Sequence, residues 1–90
     1  MDIEVIKNEK NLIEFKLKGE RHTIPNLLRQ KLLESKEVEF VAYKLEHPTA
    51  EDSMFVLRTK KEKPIKVLKN ACTELINDLN EFSNEIKKLK

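Results

Sequence analysis

With one glycine among its 90 residues, the chain cannot build a glycine-rich loop to cradle phosphate. A single cysteine, Cys72, excludes an internal disulfide and any cysteine-rich zinc site. Its place on an apolar helical stripe is that of a buried thiol acting as a small apolar residue. The two histidines, His22 and His47, have no second ligand at metal spacing such as i+4. Each reads as a local hydrogen-bonding residue beside a turn. Glu51 and Asp52 fall in a polar loop, where nothing would raise a carboxylate pKa for acid–base work. Ser53 and Cys72 lack a histidine that sequence places beside them. No catalytic, cofactor-binding or metal-ligating residue is therefore assigned. No apolar run approaches the ~18–20 residues needed to span a bilayer, and the acidic start MDIEV is no signal peptide. The expected setting is intracellular, soluble and cytoplasmic. Neither sign of charge is in excess: 18 Lys+Arg against 16 Asp+Glu leave +2. A dedicated nucleic-acid binder carries a stronger basic surplus.

What is present is 39% apolar and 38% charged residues, enough for one small core inside a dense ionic surface. Chains of this size are near the limit where a single core is marginal and a partner often helps. Ile3 to Ile6 is short and β-prone, and Lys7 to Asn11 follows as a polar turn. Ile13, Phe15 and Leu17 then alternate with charged residues, the period-two pattern of a half-buried strand. The two segments form a hairpin, and Gly19 closes its second strand where the backbone must change direction. Thr23 is a good N-cap, and Pro25 lies in a first turn where its missing N–H is harmless. Ile24, Leu27, Leu28, Leu32 and Leu33 predict a helix from about Ile24 to Ser35. Val38 to His47 reads as a strand, stopped by Pro48. Met54 to Leu57 is a continuous apolar run, as in a strand covered on both faces. Pro64 opens a long helix. The order ββαββα predicts an α+β fold, a four-stranded, largely antiparallel sheet with two helices on one face. The whole chain, residues 1–90, is one domain.

In the last helix Ile65, Leu68, Cys72, Leu75, Leu79, Phe82, Ile86 and Leu89 recur at intervals of three and four. This is the seam of a helix made to lie along another. About 25 residues run roughly 37 Å, whereas a compact chain of this length is only about 30 Å across. Val67, Ala71 and Ile76 widen the stripe in its first half; beyond Leu79 it narrows. The first half is expected in the domain's own core and the second half partly against another chain. The plainer alternative lays the last turns along the domain's own edge. Lys87, Lys88 and Lys90 complement the helix dipole. Arg58, Lys60, Lys61, Lys63, Lys66 and Lys69 form a cationic run that is either solvated or touches nucleic acid or an acidic partner. Glu62 interrupts it, and no aromatic residues interleave with it for base stacking.

Gly19-Glu20-Arg21-His22-Thr23-Ile24-Pro25-Asn26-Leu27-Leu28-Arg29 resembles the signature of the α-like subunits of DNA-directed RNA polymerase, approximately G-E-x-H-T-L-G-N-L-L-R. Val38-Glu39-Phe40-Val41-Ala42-Tyr43, ending in His47-Pro48, is similar to that family's second block, V-x-F-A-G-Y-x-x-x-H-P. With the long helix, the likeness spans nearly the whole chain, and its small archaeal members, related to the bacterial α amino-terminal domain, are the nearest match. Two family glycines are replaced, by Pro25 and Ala42. Pro25 suits a first helical turn, and Ala42 asks for more room at whatever crosses its strand.

The resemblance implies the α-like dimerisation fold and a non-catalytic role without cofactors. Such chains pair with a larger α-like RNA polymerase partner, designated D in archaea. The pair is a platform for the two large catalytic subunits, with DNA met only through the complex and no membrane involved. Leu27, Leu28, Leu32, Leu75, Leu79, Phe82 and Ile86 are the expected apolar centre of the dimer surface. Arg29 falls where the family carries an arginine that contacts a large subunit; its alternative role is a solvated helix-face charge. The competing reading of the chain is a free-standing homodimeric module with a basic nucleic-acid-binding face.

Overall fold

The computed structural model describes residues 2–89, so the expectation for Lys90 lies outside the described residues. Six elements follow in the expected order: β1 (Asp2–Asn8), β2 (Leu12–Lys18), α1 (Thr23–Leu32), β3 (Val38–Leu45), β4 (Ser53–Thr59) and α2 (Pro64–Lys87). The sheet runs β1-β2-β4-β3, and all three pairings are antiparallel. Both helices cover one face. Period-two alternation decides which side chains meet them: Ile13, Phe15 and Leu17 from β2, and Phe55 and Leu57 from β4, are all buried. Phe15 and Phe55 sit opposite each other in register and stack with ring centroids 5.1 Å apart. Val41 from β3, Leu28 and Leu32 from α1, and Val67 and Ala71 from α2 complete the core. Burying one leucine such as Leu32 fully is worth about 1.5–3 kcal/mol.

Several details differ from the sequence expectation. Thr23 is the first helical residue and does not cap; His22 holds the cap position without a side-chain cap bond. The regular helix stops at Leu32, and the following turn tightens, with Glu34 N–H reaching Lys31 O at 3.2 Å and Ser35 N–H reaching Leu32 O at 3.0 Å. β3 ends at Leu45, two residues short of His47. β4 is central, but only its helix-side residues are fully covered. Met54 and Val56 point to the other face and are only half-buried, so the continuous apolar run reflects half-shielding by neighbouring strands. β1 is exposed along its whole length, because α1 lies towards β3 and α2 lies over β2 and β4. Gly19 closes β2 with φ +80°, a conformation that L side chains rarely adopt.

Candidate functional site

The site begins where β4 turns into α2, because that turn aims the long helix. Glu37, just before β3, holds it: its carboxylate Oε1 accepts the backbone N–H of Glu62 at 3.1 Å and of Lys61 at 3.2 Å. Those two bonds, in that order, hold the Glu37 carboxyl below the ordinary glutamate value. Glu37 O also accepts the N–H of Lys60 at 2.9 Å, and the buried Thr59 hydroxyl donates to Glu62 O. Asn11 secures the other side, its amide donating to Lys60 O at 3.1 Å. Pro64 then starts α2 at N1.

This junction seats one flank of the stripe on the sheet. Pro64, Val67 and Ala71 are buried, while Ile65 and Leu68 pack only partly against the core. Of the residues that widen the stripe, Val67 and Ala71 enter the domain and Ile76 does not, and beyond Leu68 the heptad seam turns away from the core. Cys72, expected to be buried, is exposed on that seam. Its neighbours still desolvate it enough to push the thiol pKa up. Leu75 is half-buried; Ile76, Leu79, Phe82, Ile86 and Leu89 are exposed, Phe82 to 65% and Leu89 to 72%. The alternative of last turns laid along the domain's own edge is therefore not what the fold adopts. At the end of α2, Lys87 occupies the last turn and Lys88 pairs with Glu85 at 3.2 Å.

The second helix contributes unevenly. Leu28 and Leu32, expected at a dimer surface, are buried in the domain's own core, at 7% and 0% exposure. They face the sheet because α1 lies against β3, so neither has surface left to offer. Leu27 is half-buried, and Leu33 is exposed at the end of α1. Lys31 ties the helices together, its ammonium reaching Asp78 on α2 and Glu34 at 3.4 Å. The Asp78 hydrogen bond leads in raising the Lys31 pKa. Arg29 is half-buried and donates to Asn26 Oδ1 at 3.1 Å, one turn back on α1.

The two sequence blocks quoted above meet in space. Arg21 donates to Pro48 O at 2.8 Å, and His22 Nδ1 lies 3.2 Å from the Tyr43 hydroxyl, the rings meeting edge to face. Gly19 N–H donates to Asp52 Oδ1 at 2.8 Å. These bonds set the start of α1 against β3 and the β3–β4 loop. The blocks therefore read as a scaffold for helix placement, a role that their spacing does not reveal. His47 keeps to its loop, 2.9 Å from Thr49 Oγ1. The cationic run is dispersed: Arg58 is on the helix-free face of the sheet, and Lys66 pairs with Glu62 at 3.0 Å. Among the described residues no cluster of three potential metal ligands occurs, and no helix is long and apolar enough to cross a membrane.

An exposed apolar helix face of this kind marks a surface for another protein. Residues 12–85 match the model of the RNA polymerase Rpb3/Rpb11 dimerisation domain. DNA-directed RNA polymerase subunit Rpo11 of Pyrococcus horikoshii is 41% identical over 99% of this chain and 97% of its own length. The Methanosarcina barkeri subunit of the same name is 32% identical over 98% of this chain and 96% of its own. The crystal structure of DNA-directed RNA polymerase subunit L from Thermoplasma acidophilum has the same fold, with a TM-score of 0.86, 24% identity, and coverage of 97% of this chain and 86% of that one. By its sequence over nearly its whole length, the chain belongs to the RNA polymerase Rpb3/Rpb11 dimerisation-domain family.

Proposed function

We propose that this chain is a non-catalytic subunit of a DNA-directed RNA polymerase in the cytoplasm. It pairs with the larger α-like polypeptide, designated D in archaea, to form the platform on which the large catalytic subunits assemble in DNA-templated transcription. The observation that carries the reading is the bare apolar face of α2, where Ile76, Leu79, Phe82 and Ile86 stand exposed, too apolar to be left in water. Leu75, Leu79, Phe82 and Ile86 supply the centre of the contact and Leu27 its α1 side; Leu28 and Leu32 support it from beneath. Arg29, steadied by Asn26, is the proposed contact to a large subunit.

The test uses Leu79→Glu and Phe82→Glu. Both residues are exposed on the single chain, so the domain should melt as before. Pairing should weaken by more than about 30-fold, because a glutamate at an apolar interface centre is buried unpaired, costing upwards of ~2 kcal/mol. Co-purification with the α-like partner that survives Phe82→Glu would refute the seam assignment. The homodimeric module remains the competitor, since the same seam could pair with itself. Light scattering separates them: a tight homodimer indifferent to the α-like partner favours the competitor.

A further inference from the structure

The face of the sheet turned away from both helices divides into two halves of different character. Towards β1 it is ionic and self-neutralised: Lys18 pairs with Glu4 at 3.3 Å and Lys7 with Glu14 at 3.8 Å, while Lys16 reaches across to Glu46, just past the end of β3, at 3.8 Å. Towards β3 it is apolar. Register places Phe40, Ala42 and Lys44 opposite Arg58, Val56 and Met54 on this face. Together these strands line a shallow recess of about 230 Å³ between Phe40, Ala42, Lys44, Met54 and Val56. Phe40 is 53% exposed at its rim, although a large aromatic on a strand ordinarily finds cover. Lys44 and Arg58 flank the recess, and among the described residues neither belongs to an ion pair.

We infer that this recess docks a polypeptide segment of a large polymerase subunit, one that inserts an apolar side chain between carboxylates. The recess is smaller than the ~300–1,000 Å³ usual for small-molecule and cofactor sites, and of a size for a side chain. Its apolar floor has nothing to offer a phosphate backbone, while two unneutralised cations beside it complement an acidic chain. Ala42, where the family pattern has glycine, adds its methyl group to this floor. The face is on the opposite side of the sheet from α2, so it stays open when the seam is occupied. That geometry lets one small domain hold two partners at once. The inference rests on the platform reading above, and its test separates the two.

Heterodimers of wild type, Phe40→Ser and the double variant Lys44→Glu/Arg58→Glu with the α-like partner would be purified, then used to capture the isolated large subunits. Both variants alter exposed side chains, so the heterodimer should form normally. Capture should fall about tenfold or more, and the loss in the charge-reversal variant should shrink as salt rises and screens the wild-type contact too. Undiminished capture by both variants overturns the docking site and leaves the seam untouched. Loss of the heterodimer itself would also overturn it, by giving this face to the α-like partner. So would duplex DNA binding by the wild-type pair that charge reversal abolishes, since the cations would then serve phosphates. A wild-type chain that pairs with no α-like partner refutes the platform reading, and the docking site with it.

Discussion

Glu37 shows how one side chain can govern a distant element. Its carboxylate accepts two backbone N–H groups of the β4–α2 turn, 24 and 25 residues further along the chain. Because the folded-state pKa is lowered, this contribution is complete above the ordinary glutamate range and is lost as pH falls through the folded value. Glu37→Gln should therefore be less stable than wild type near neutral pH. The gap should close on acidification, as wild type loses the charge that the variant never had. Urea unfolding at about pH 7 and about pH 3 measures both gaps; an unchanged difference would assign the effect to packing instead. Sequence offered no sign of this role, since Glu37 sits in a charged stretch like any other. The local hydrogen-bonding role read for the histidines fits His47, which reaches Thr49 two residues on, whereas His22 reaches Tyr43 on β3, 21 residues away.

Among the elements, those with one buried face were the readable ones. β2 alternates because Ile13, Phe15 and Leu17 meet the helices while Glu14, Lys16 and Lys18 do not. β1 has no covered face, so its pattern carries less information, and the strand runs beyond Ile3–Ile6 to Asp2 and Asn8. The rotation of α2 was not legible. Its stripe is wide enough for either flank to seat on the sheet, and the choice falls to the junction held by Glu37, Asn11 and Thr59. Hence Cys72 and the heptad seam face outward, while Val67 and Ala71 face inward. A chain ending at Leu79 tests this division. Among the described residues the turns beyond it contribute no buried one, so unfolding stability should change by no more than about 1 kcal/mol. Co-purification with the α-like partner should disappear. A collapse of the fold on truncation would return those turns to the domain's own core.

The molecule as a whole is flat and long, 47 × 35 × 18 Å, with a radius of gyration of 14.4 Å. A compact chain of this size would be near 12 Å. The difference is largely α2, about 36 Å of helix in its 24 residues, on a sheet whose strands are only seven or eight residues long. Cys72 reports on what covers that helix. Its thiol, though slowed by a raised pKa, is exposed on the single chain and should react with maleimide. In the heterodimer the rate should fall at least about tenfold, because reaction needs an accessible thiolate. Equal rates in both states would place the contact elsewhere on α2.

Until a partner arrives, the outer edge of the sheet carries its own hazard. β1 shows Ile3, Val5 and Ile6 to solvent, and an apolar strand at a sheet edge invites pairing with copies of itself. The register with β2 slips between Val5 and Lys7, leaving Ile6 as an extra residue that bends the strand. Such a bend makes a poor template for another straight strand. The kink thus lets the strand keep its apolar side chains in the open while denying a second copy the straight edge it would need to add on.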